Sequence, residues 1–169
     1  MSEPCGREWC VIGNSDQLVS QTVVDMLGEV ETLLEQMIRH GRCYCTLNLE
    51  GDSDYFVQAV VLPTGNLTVE AVSTQNGVTA RRRPLSGVQI RTLRRLGWRI
   101  PLPCPSRRPA TSDDLVNFHR HADPAWHSPA ALFAELLVRT LVEVYGLTSP
   151  AKLTVSYGRV PTTGVLQRV

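Results

Sequence analysis

The chain has 169 residues, 43% hydrophobic and 6% aromatic, with 17 basic against 16 acidic side chains. That length suits a single domain that buries about two-thirds of its unfolded surface without disulfides or metal, and the composition excludes collagen-like repeats and wholesale disorder. The net charge of +1 conceals a division: residues 1–79 hold 11 acids and 3 bases, residues 80–112 hold nine arginines and no acid, and residues 113–169 hold five of each.

Residues 1–13 lack the charged-then-apolar pattern of a secretory leader, and no run of 18 apolar residues occurs. A cytoplasmic protein without a membrane segment is therefore expected. Five cysteines (Cys5, Cys10, Cys43, Cys45, Cys104) are an odd number, and with no export signal reduced thiols are the expected state. All the basic residues but Lys152 are arginine, a usage typical of high-GC genomes; physically it gives charges that persist at any working pH and pair bidentately with carboxylates or phosphates.

In chain order, residues 1–14 read as a flexible tail, residues 15–157 as one α+β domain and residues 158–169 as a second tail. From Asp16 to His40, Val19, Val23, Met26, Leu27, Val30, Leu33, Leu34, Met37 and Ile38 recur at spacings of three and four, which predicts a long amphipathic helix capped by Asn14 or Ser15 and ended by Gly41. Three runs of period two follow, Cys43–Leu49, Tyr55–Leu62 and Leu67–Val72. The last two are joined by the turn-forming Pro63, Thr64, Gly65 and Asn66, so the three predict an antiparallel meander. Both faces of the middle run are largely apolar, which requires cover on its second face.

Ser86, with Gln89 three residues on, opens a short helix that ends at Leu96 and Gly97. Prolines 101, 103, 105 and 109 then exclude regular helix or central strand. Leu115–His121 reads as a strand. Ser128 and Pro129 start a last helix with a stripe of Leu132, Phe133, Leu136, Leu137, Thr140, Leu141 and Val144, ended by Gly146; Leu153, Val155 and Tyr157 suggest a final strand. The predicted order is α-β-β-β-α-β-α-β: an antiparallel sheet, the meander plus one or two further strands, with helices segregated from it.

Tyr55-Phe56-Val57-Gln58-Ala59, the run Gly65 to Ser73, Leu93-Arg94-Arg95-Leu96-Gly97-Trp98 with Pro101, and Asn117-Phe118-His119-Arg120 resemble the bacterial proteins that group type III secretion chaperones with YbjN-like proteins, most closely an actinobacterial peptide-binding chaperone-like branch. The resemblance spans roughly residues 16 to 147. It implies a long first helix, a twisted antiparallel sheet, two further helices, and commonly a homodimer that holds an extended segment of another protein and performs no chemistry. Two features depart from it. Secretion chaperones are acidic overall, whereas residues 80–112 are strongly basic, and a strand after the last helix is not part of their core.

The residues offer little chemistry. His119 and His121 share one strand face about 7 Å apart, with Asp123 and His127 close in sequence, but a His-x-His pair without a second half reads as a solvated strand face rather than a metal site. Cys43 and Cys45 read as small core residues rather than as zinc ligands with Cys5 and Cys10. No GxSxG, Walker A, HExxH or GxGxxG pattern occurs. No enzyme, metal or cofactor is expected.

Two binding readings remain. On the meander, Tyr44, Gln58 and Glu70 sit opposite the apolar strand faces, and Phe56, Val60 and Val72 share that side, a mixed aromatic, aliphatic and polar face suited to a peptide or a second subunit. Trp98 is added as a possible contact, though a structural anchor is its commoner role. The alternative is nucleic acid bound by the arginine-rich segment 81–108, through Arg81, Arg82, Arg83, Arg91, Arg94 and Arg95, with steep salt dependence. That segment lacks interleaved aromatics for base stacking, and the acidic first half can neutralise it.

Overall fold

The computed structural model describes residues 14–20, 22–49, 52–72, 85–100, 117–123, 125–148 and 151–159. The elements in chain order are strand β1 (Asn14–Ser20), helix α1 (Val23–His40), strands β2 (Cys43–Leu49), β3 (Asp52–Val61) and β4 (Leu67–Ala71), helix α2 (Gly87–Arg95), strand β5 (Phe118–His121), helix α3 (Pro129–Glu143) and strand β6 (Ala151–Arg159). The six strands form one sheet of order β1-β6-β2-β3-β4-β5, every neighbouring pair antiparallel. This is the α+β arrangement the sequence predicts from the first helix onward, with one strand in front of it.

That extra strand corrects the first expectation. The predicted helix from Asp16 begins only at Val23, and Asn14 and Ser15, proposed as caps, lie in β1. The helix starts where it does because Thr22 closes a capping box: its hydroxyl accepts from the Asp25 amide at 3.1 Å, and the Asp25 carboxylate accepts from the Thr22 amide at 3.1 Å, filling donors the first turn leaves unpaired. Upstream of that box the backbone groups pair instead with β6, from Asn14 with Tyr157 to Ser20 with Ala151.

The other boundaries follow local chemistry. The β3–β4 turn is closed by Leu62 N–H to Asn66 O and Gly65 N–H to Leu62 O, with Gly65 at φ 83°, a conformation L side chains avoid. Ser86 and Gln89 form the expected capping box on α2. On α3, Pro129 stands at the start as expected, but the Ser128 side chain makes no capping hydrogen bond. Leu132, expected in the buried stripe, is 50% exposed. The strand predicted from Leu115 begins at Phe118; Leu115 and Val116 lie outside the described residues.

Helices α1 and α3 pack on each other and on one face of the sheet. Their buried side chains Met26, Val30, Leu34, Met37, Phe133, Leu137 and Leu141 meet Cys45, Leu47, Val57, Ala59, Val69 and Ala71, which alternate along β2, β3 and β4. Helix α2 joins the same side of the molecule: Gln89 Nε2 donates to Val144 O at 2.8 Å and Arg95 pairs with Glu143 at 3.2 Å.

Candidate functional site

Residues between those core positions point to the other side of the sheet, where no described helix packs. Register places Ser156, Thr46, Gln58, Glu70 and His119 in one row across β6, β2, β3, β4 and β5. An isolated bridge continues it to Arg99. A second row runs Gly158, Tyr44, Val60, Thr68, His121, and a third joins Thr154, Asn48 and Phe56, whose carbonyl accepts from Val72 N–H at 3.1 Å. Six of the residues selected from sequence, Tyr44, Phe56, Gln58, Val60, Glu70 and Val72, are thereby brought together.

They are not equally accessible. Phe56, Val60 and Val72 are 9%, 4% and 3% exposed, so they form a floor already shielded from water. Tyr44, Thr46, Asn48, Gln58 and Glu70 are half-buried and remain within reach. A Cβ placed on Gly158 would come within 2.9 Å of Tyr44 Oη and 3.0 Å of its ring carbons; the tyrosine therefore lies across β6 in a space that only glycine leaves free.

The centre of the face is a polar network. Glu70 Oε2 accepts from Gln58 Nε2 at 2.7 Å and from Asn117 Nδ2 at 2.8 Å. Asn117 is 1% exposed, so its bond to a carboxylate removes what would otherwise be a costly orphan donor. Thr68 Oγ1 and His121 Nδ1 lie 2.8 Å apart, and the His119 and His121 rings are 5.4 Å apart. Burial first, then the neighbouring His119 and Arg99, hold the His121 pKa below the usual histidine range, with Glu70 opposing. Among the described residues no group of three or more His, Cys, Asp or Glu is placed to hold a metal.

Trp98 stands apart from this face. It is 4% exposed, and its indole Nε1 donates to Thr140 Oγ1 of α3 at 2.9 Å; Thr140 Oγ1 donates in turn to Leu136 O at 2.7 Å. The tryptophan is thus an anchor between the end of α2 and α3. Of the arginines, Arg95 is committed to Glu143, whereas Arg91 and Arg94 are exposed and make no ion pair among the described residues. Arg81, Arg82 and Arg83 lie outside the described residues.

Asn117 and the histidine pair join the face without having been assigned to it from sequence. The period-two spacing of His119 and His121 was the only available signal, because the identity of the strand beside β5 is not encoded locally.

Over residues 27–158 the chain matches the TY-Chap3 model, described as T3SS (YopN, CesT) and YbjN peptide-binding chaperone 3. The chain belongs to this family. The match runs from the second turn of α1 to nearly the end of β6, leaving β1 and the start of α1 outside it. No curated protein and no solved structure matches the chain. No helix among the described residues is long and apolar enough to cross a membrane.

Proposed function

We propose that the chain is a non-enzymatic peptide-binding chaperone that holds an extended segment of another protein against the face of its sheet on which no described helix packs, and that it works in the cytoplasm as a homodimer. The observation that carries this reading is the division of one sheet, in a chain of a peptide-binding family, into a helix-packed apolar face and a second face where half-buried Tyr44, Thr46, Asn48, Gln58 and Glu70 surround the apolar Phe56, Val60 and Val72. The backbone groups of β2, β3 and β4 are already paired within the sheet, so the side chains of the face supply both the hydrogen bonds to an extended client and the selectivity. Water excluded from the client protects it from association elsewhere.

The test is fluorescence anisotropy with short labelled peptides of alternating polarity, alongside Thr46→Arg, a change at a half-buried position on the face. The variant is expected to keep its melting temperature and to lose about tenfold or more in affinity, the equivalent of about 1.4 kcal/mol. Unchanged affinity would move the site off this face. Nucleic acid bound through the exposed Arg91 and Arg94 is the competing reading, and it predicts single-stranded DNA binding that collapses between low and physiological salt.

A further inference from the structure

Glu70 is the one acidic side chain on the rows described above, and its surroundings prepare it for a cation. Among the described residues both of its hydrogen bonds converge on Oε2, from the neutral amides of Gln58 and Asn117. Neutral donors fix the carboxylate in place without cancelling its charge, and among the described residues no donor reaches Oε1 and no ion pair is formed. Among the described residues neither its cross-strand partner His119 nor His121 or Arg99 forms an ion pair with it. His121 is held toward its neutral form by burial and by His119 and Arg99. Arg99, aligned with His119 at the edge of β5, is exposed and makes no ion pair with Glu70.

Glu70 is half-buried and keeps access from one side. Its neighbours on the same face, Thr68 and Val72 along β4 and Phe56 and Val60 on β3, are 7%, 3%, 9% and 4% exposed. Among neighbours this closely covered, a side chain with an apolar stem and a charged tip is the part of a client suited to reach the carboxylate. We infer that Glu70 is a charge-selective anchor that receives the ammonium or guanidinium group of a lysine or arginine carried by the client, an assignment that rests on the peptide-holding reading above and adds the chemistry of one client position.

Two consequences follow from the geometry. With Oε2 occupied, only Oε1 is left, so the contact is end-on, and arginine loses its usual bidentate advantage over lysine. Because strand side chains repeat every second residue, about 6.6 to 6.8 Å apart, a client lying along β4 with its basic residue over Glu70 places its flanking i−2 and i+2 residues near Val72 with Phe56 and near Thr68 with Val60. Those side chains are already shielded from water, so the basic residue carries the selectivity.

The experiment uses the full chain and three labelled peptides of alternating serine and valine that differ only at the centre: lysine, norleucine or glutamate. The wild type is expected to bind the lysine peptide roughly tenfold or more tightly than the norleucine peptide, as a charge-assisted bond in a shielded site implies, and the glutamate peptide most weakly. Glu70→Gln keeps an acceptor for the two amides and removes the charge. It is expected to bind lysine and norleucine peptides alike, with norleucine affinity within about twofold of wild type. Arg99→Ala, which removes a cation from the end of the row that holds Glu70, is expected to increase the lysine preference. Equal binding of the lysine and norleucine peptides by the wild type overturns the anchor while leaving peptide holding intact, as does a lysine preference that persists in Glu70→Gln or falls in Arg99→Ala. Failure of all three peptides to bind overturns the peptide-holding reading and the anchor with it.

Discussion

The two faces of the sheet are built from alternate residues of the same strands, and they spend those residues differently. On the helix side Cys45, Leu47, Val57, Ala59, Val69 and Ala71 are all fully buried, and their chemistry is wholly apolar, so the energy there is that of close packing. On the other side burial is shared with a carboxylate, two amides, a threonine and two histidines joined by hydrogen bonds. A network of this kind contributes little net stability, but each member is costly to orphan, so it fixes geometry more than it adds energy. One face therefore holds the fold, and the other fixes polar side chains in defined positions.

The largest expected effect is on the packed face. Phe133→Ala, at a side chain 1% exposed, should lower unfolding free energy by about 3–5 kcal/mol, read from the urea midpoint; a loss under about 1 kcal/mol would mean that the helix face is not the stability centre. Asn117→Ala probes the other face at an equally buried position and should cost about 1–3 kcal/mol by leaving Glu70 short of a donor. A cost equal to that of Phe133→Ala would erase the energetic distinction between the two faces.

Among the described residues the packed face carries an alkaline limb of stability. Burial pushes the Cys43 thiol up to about 11 and that of Cys45 to about 12, from an ordinary value of 9.0. A folded pKa above the unfolded one favours the protonated thiol in the folded chain, so this contribution is complete below about pH 9 and is lost as pH rises toward 11 and 12. The buried Tyr145 hydroxyl is shifted in the same sense, by burial first and then by Tyr55. Thermal melts taken upward from neutral pH should show the decline, and Cys45→Ala should flatten part of it. The smallest effect is expected from Thr46→Val on the second face, within about 0.5 kcal/mol of wild type by urea melting; a larger shift would place Thr46 in a structural contact.

The candidate site was only partly legible in the sequence. Tyr44, Phe56, Gln58, Val60, Glu70 and Val72 were assigned to one side because strand alternation is a local pattern. Their separation into a shielded floor and reachable polar positions was not legible, since burial depends on everything packed nearby. Trp98 was ambiguous for a related reason: its hydrogen-bond partner Thr140 lies 42 residues away. Asn117 reaches Glu70 across 47 residues, and nothing around either residue announces the other.

By itself the sequence determined the elements that carry their own instructions: α1 from its apolar stripe, the β3–β4 turn from Pro63 to Asn66, the start of α2 from Ser86 and Gln89, and the strands of the meander from their alternation. Each rests on contacts within a few residues, where propensity and capping decide the outcome. Only the tertiary structure decided that residues 14–20 leave the helix and pair with β6, that β6 enters between β1 and β2, and that Gln58, Asn117 and Glu70 meet at one carboxylate. Those outcomes depend on the register between strands distant in sequence, where a slip of one residue would turn every side chain to the opposite face.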